Sequence, residues 1–62
     1  MNSLITNRVI EEANYMLETK KTIREIANVF NVSKSTVHKD LHERLLEIDF
    51  NLFQQIDSIL KY

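Results

Sequence analysis

TIREIANVFNVSKSTVHKDL, residues 22–41, decides how this chain is read. Thr22 and Glu25 open it with the S/T-x-x-E spacing of a capping box, in which two side chains satisfy the orphaned N–H groups of a helix start. A short helix is predicted from about Ile23 to Phe30, burying Ile23, Ile26, Ala27 and Phe30. It stops at Asn31, because asparagine is the residue after glycine best able to take the left-handed conformation that ends a helix. Ser33 then caps a second helix, with Val32 and Val37 at the two positions of a hydrophobic staple, and that helix is predicted to run from Lys34 to Leu45 or Leu46. With only Asn31, Val32 and Ser33 between them, the two helices must meet at a sharp turn.

Two short helices crossing steeply need a small residue where they approach most closely and apolar residues facing inward from both. Ala27 meets the first need, and Ile23, Ile26, Phe30, Val32, Val37 and Leu41 meet the second. This combination is the pattern of a helix-turn-helix.

Outward from this unit the chain continues as helix. Upstream, residues 3–18 carry Ile5, Val9, Ala13 and Met16 or Leu17 at three- and four-residue steps, a single apolar stripe whose opposite face is expected to hold Arg8, Glu11 and Glu12. Downstream, Asp49 is placed to cap a last helix, with Ile48 and Phe53 as a staple and Leu52, Phe53, Ile56, Ile59 and Leu60 as its apolar face. Glycine and proline are both absent, so capping residues make every break. The expected fold is all-α: a small four-helix domain without a sheet, its second and third helices forming the helix-turn-helix, and residues 1–62 making one domain.

Composition narrows the functions available. There is no cysteine, which excludes disulfides, thiolate chemistry and cysteine-ligated zinc. No apolar run approaches the roughly 20 residues that span a bilayer, and the N-terminus lacks the pattern of an export signal, so a cytoplasmic protein with no membrane partner is expected. Net charge is −1, which taken alone argues against a polyanionic partner. Its distribution argues the other way: residues 20–44 hold six basic side chains (Lys20, Lys21, Arg24, Lys34, Lys39, Arg44) against three acidic ones (Glu25, Asp40, Glu43), a balance of +3, and each flank is −2.

With Val37 and Leu41 turned inward, the third helix presents Lys34, Ser35, His38, Lys39 and His42 outward. Near the start of a helix that enters the major groove, such residues reach base edges, and lysines also bind phosphate. Ser35 and His38 are assigned to bases, Lys34 and Lys39 to bases and phosphate, and Thr36 to phosphate or to the first turn of the helix. Around the start of the second helix, Lys20, Lys21 and Arg24, with Thr22, form an expected phosphate clamp, because helix N-termini favour anions. The bland alternative in both places is a solvated polar face.

Catalysis and metal binding find little support. His38 and His42 stand one turn apart without an evident third ligand. Ser35, His38 and Asp40 are triad residue types, but so close together on one helix they point in different directions. No catalytic residue, metal or cofactor is expected, and no small-molecule substrate. The competing readings are a protein-interaction module that has kept the scaffold and lost DNA binding, with Phe50, Phe53 and Tyr62 as an aromatic surface, and the DNA-binding end of a recombinase or sigma factor.

Residues 19–48, TKKTIREIANVFNVSKSTVHKDLHERLLEI, closely resemble the stage III sporulation protein D family, most specifically in VSKSTVHKDL, residues 32–41. The similarity extends more loosely back to Val9 and forward through the ILKY ending. The resemblance implies a sequence-specific transcriptional regulator of a spore-forming bacterium, bound to double-stranded promoter or operator DNA, with Ser35, Thr36, His38 and Lys39 on the DNA-reading helix. Asn31 stands where that family usually has glycine. The family pattern also continues into a basic C-terminal region that supplies a second DNA contact, whereas this sequence ends at Tyr62, so weak binding as a monomer is expected, with a dimer as the alternative.

Overall fold

The computed structural model describes residues 3–60. Among these residues there are helices and no strand: Ser3–Thr19, Ile23–Phe30, a third helix of three continuous pieces, and Phe50–Leu60. The fold is the expected all-α arrangement of four helices.

Local chemistry sets the boundaries. The first helix ends at Lys20, whose φ of 59° is left-handed and whose N–H donates to the Met16 carbonyl at 2.8 Å. Neither glycine nor asparagine signals that stop; lysine accepts a backbone cost of about 1 kcal/mol there. Thr22 caps the second helix with both bonds of the capping box in place. Asp49 caps the fourth, accepting the Leu52 N–H at 3.0 Å.

The third helix departs from expectation. It is α-helical over Lys34–Lys39, π-helical over Asp40–Arg44 and α-helical again over Leu45–Ile48, so it neither stays regular nor stops at Leu45 or Leu46. Its inward leucines explain the irregularity. Val37, Leu41 and Leu45 are spaced by four residues, and each such step overshoots the 3.6-residue turn by about 40°. A π turn holds more residues and takes up that drift, so all three side chains are fully buried; the Leu45 N–H reaches back five residues to the Asp40 carbonyl.

All four helices feed one core: Val9, Ala13 and Met16 from the first, Ile26 and Ala27 from the second, Val37, Leu41 and Leu45 from the third, Leu52 and Ile56 from the fourth. Ile23, Phe30, Phe53, Ile59 and Leu60 are half-buried against it. One expectation is overturned. Glu12, assigned to the outer face of the first helix, is fully buried, and Arg8 is half-buried rather than solvated. The buried set Val9, Glu12, Ala13 and Met16 follows the i, i+3, i+4, i+7 spacing of a helix face, so position 12 lies inside whatever residue occupies it.

Candidate nucleic-acid interface

The turn between the second and third helices is fixed by backbone bonds. Asn31 has φ 57° and ψ 46°, its N–H donates to the Asn28 carbonyl at 3.3 Å, and the Val32 N–H donates to Ala27 at 3.0 Å. This bond pair is a Schellman motif with asparagine in the position glycine usually takes. Ser33 follows as N-cap, accepting the Thr36 N–H at 3.1 Å, and the Ser33 hydroxyl also lies 3.1 Å from that of Ser35 and 2.8 Å from that of Thr36. Ala27 is almost fully buried beside the turn.

Beyond the turn, Lys34, Ser35, His38 and Lys39 are exposed and His42 is half-buried. The His38 and His42 rings stack 4.2 Å apart and within 29° of parallel, a flat imidazole pair at the far end of the polar face. Thr36 is half-buried, and its hydroxyl is engaged with the cap rather than turned out with its neighbours. Among the described residues no group of three or more histidine, cysteine, aspartate or glutamate side chains has the placement to hold a metal ion.

The start of the second helix is more self-contained than its charges suggest. The Thr22 N–H and hydroxyl both reach Glu25 Oε1 at 3.1 Å, and the Lys21 ammonium lies 3.6 Å from Glu25 Oε2. The Thr22 backbone bond, followed by its hydroxyl bond and Lys21, holds the Glu25 carboxyl below the usual carboxylate range. A carboxylate of the chain thus already sits at this helix start, and it is Lys20 and Arg24 that stand exposed beside it.

A second cluster, unseen in the sequence, backs the polar face. Arg8 of the first helix donates from Nε and Nη2 to the two Asp40 oxygens, each at 3.1 Å, and Arg44 donates from Nη1 to Asp40 Oδ1 at 2.6 Å. Asp40 is fully buried at the start of the π turn. Burial opposes its charge, but side-chain hydrogen bonds, from the protonated Glu12 carboxyl beside it and from the two guanidiniums, outweigh burial and hold Asp40 below its ordinary range. Glu12 lies on the other side of Arg8, 3.7 Å from Nε, and neither of its buried oxygens accepts a hydrogen bond. Burial first, and then the neighbouring Asp40, push the Glu12 carboxyl up to about 8. With Asp40 buried between Arg8 and Arg44, the remaining charge over residues 20–44 is Lys20, Lys21, Arg24, Lys34 and Lys39 against Glu25 and Glu43, a balance of +3.

Comparison with known proteins agrees with the sequence resemblance. The family described as Stage III sporulation protein D matches residues 2–62. The Stage III sporulation protein D of Bacillus subtilis (strain 168) is 53% identical over 62 residues, which is 100% of this chain and 67% of that protein. The chain belongs to the stage III sporulation protein D family. No solved structure matches it significantly. In this member of the stage III sporulation protein D family no helix among the described residues is long and apolar enough to cross a membrane. Outside the polar face, Leu46 and Phe50 are exposed, and Phe50 stacks on Phe53 at 6.2 Å; Tyr62, the other aromatic residue of the proposed interaction surface, lies outside the described residues.

Proposed function

We propose that this protein is a sequence-specific DNA-binding regulator of transcription during sporulation, acting in the cytoplasm by binding alone and without catalysis. One observation carries the reading: a left-handed Asn31 and a Ser33 cap set a short helix whose outer surface is Lys34, Ser35, His38 and Lys39 directly after the second helix. A helix held that way enters the major groove with its first turns toward base edges. Family membership supports the same reading.

In this mechanism Lys34 and Lys39 meet phosphate and set the register on the duplex, while Ser35 and His38 read bases. His42 extends the imidazole surface by stacking on His38. Thr36 serves the helix cap first, so its share in binding is through the position of its neighbours. At the second helix, Lys20 and Arg24 take the main phosphate role; Lys21 and Thr22, occupied by Glu25, add to it only when that carboxylate gives way.

Selecting binding sites from random double-stranded DNA, then measuring retardation at several salt concentrations, tests the proposal. A recurring site and an affinity that falls steeply with salt are expected. Recovery of no preferred site at any salt would leave the protein-interaction reading, which exposed Leu46 and Phe50 favour.

A further inference from the structure

The buried acid pair behind the third helix has an odd distribution of partners. Asp40 receives three charge-assisted bonds, whereas Glu12, equally buried, receives none. The charged groups acting on Glu12 are Arg8 on its own helix and Asp40 and Arg44 on the third. Arg8 stands between the two carboxyls and leans to Asp40, with its Nε 3.1 Å from Asp40 Oδ2 and 3.7 Å from Glu12 Oε2. An ionised Glu12 would repel Asp40 and compete for this same guanidinium. Two carboxyl groups in one dry site do not both ionise readily, and the one that accepts no hydrogen bonds keeps the proton.

Arg8 is a tie from the first helix to the third, spanning 32 residues of sequence, and it lands where the exposed piece Lys34–Lys39 gives way to the π turn. We propose that Glu12, carried as an uncharged acid beneath the third helix, is a positioning residue whose proton keeps Arg8 on Asp40 and thereby holds the helix bearing Lys34, Ser35 and His38 in place. Only the consequence for DNA rests on the function proposed above. The value of about 8 for the Glu12 carboxyl agrees with the geometry.

The linkage has a definite sign. An unfolded glutamate titrates near 4.3, so between that pH and about 8 the folded chain holds one proton more than the unfolded chain. The stabilisation from this proton is complete below the lower value, shrinks as pH rises, and is gone once pH passes about 8. Asp40 is displaced downward and stays ionised over the upper part of this window, so it adds no slope there.

Urea unfolding of the 62-residue chain and of Glu12→Gln between pH 6 and 9.5 reads the effect. Relative to Glu12→Gln, the unfolding constant of the parent chain should rise about tenfold per pH unit from 6 to 8 and level off above. Glu12→Leu, which replaces the acid by an apolar side chain, is a second reference that should follow the glutamine variant. In NMR titrations, third-helix amides from Thr36 to Leu41 should move with a midpoint near 8 in the parent and lose that transition in both variants. DNA affinity at fixed ionic strength should fall between pH 7 and 9 in the parent and hold in Glu12→Gln. Parallel unfolding profiles for parent and variants would overturn the proposal. So would third-helix resonances that ignore the titration, or an equal pH dependence of DNA binding in parent and Glu12→Gln. A chain that binds no DNA at any pH would instead defeat the functional reading, and the third-helix resonances would still decide this one.

Discussion

Asp40→Ala removes the acceptor on which Arg8 and Arg44 converge. Three charge-assisted bonds end on this carboxylate, and losing one partner of a buried ion pair typically costs about 3–5 kcal/mol. Two features lower that figure. The guanidiniums left behind are 30% and 29% exposed and regain water, and Arg8 can turn the short distance to Glu12, which then ionises more easily. The expected loss is about 2–3 kcal/mol. A domain of 62 residues has a total stability of about 3–9 kcal/mol at the usual value per residue, so the variant should remain folded only narrowly. With a urea dependence near 1 kcal/mol/M, the midpoint should drop by about 2–3 M. Circular dichroism during urea unfolding at pH 7 measures it. A loss within the 0–1 kcal/mol or so of exposed ion pairs would refute the idea that this cluster anchors the third helix.

Three further outcomes are expected. Asn31→Gly should fold normally, whereas Asn31→Val should lose about 1–2 kcal/mol, because a β-branched side chain resists the observed φ of 57°; urea midpoints separate the two. Ser33→Ala should cost about 1 kcal/mol in the same assay, since the Thr36 N–H loses its acceptor. In DNA titrations at several salt concentrations, Lys34→Ala and Lys39→Ala should each lower the magnitude of the salt slope by about one, while Ser35→Ala and His38→Ala should relax preference at particular base pairs by about 1–3 kcal/mol with the slope nearly unchanged. Equal losses on every sequence for Ser35 and His38 would remove them from base reading.

What the sequence disclosed was whatever its neighbours within a few residues control. Thr22 with Glu25, Asn31 with Ala27 and Asn28, Ser33 with Thr36, and Asp49 with Leu52 each complete their bonds within five residues, so each boundary was readable locally. The exposed face of the third helix was readable for the same reason, because the period of its inward residues fixes its outward ones. The contact of Arg8 with Asp40 crosses 32 residues, and no local pattern announces it. Glu12 misled by chemistry: its spacing from Val9 and Met16 puts it inside, but a carboxylate reads as solvent-facing. Lys20 misled in the opposite way, adopting a left-handed conformation without the residue type that normally marks one. The π turn answers to the packing of Leu41 and Leu45 against the other helices, and the four-residue spacing of these leucines is its one visible trace.

That π turn also makes the third helix a jointed part. An extra residue looped into a helix is absorbed there by a wider turn, since each α-helical residue turns the chain by about 100° and each π-helical residue by less. Leu45 and Ile48 lodge the lower end among the other helices, while Lys34, Ser35 and His38 ride on the upper end. Deleting one residue between Asp40 and Arg44 would let the helix run regularly with its upper and lower ends still facing nearly the same way, because the wider turn with the extra residue and the regular turn without it sweep about the same angle. The chain through this turn can therefore differ in length by one residue while the outward set and the core keep their mutual direction.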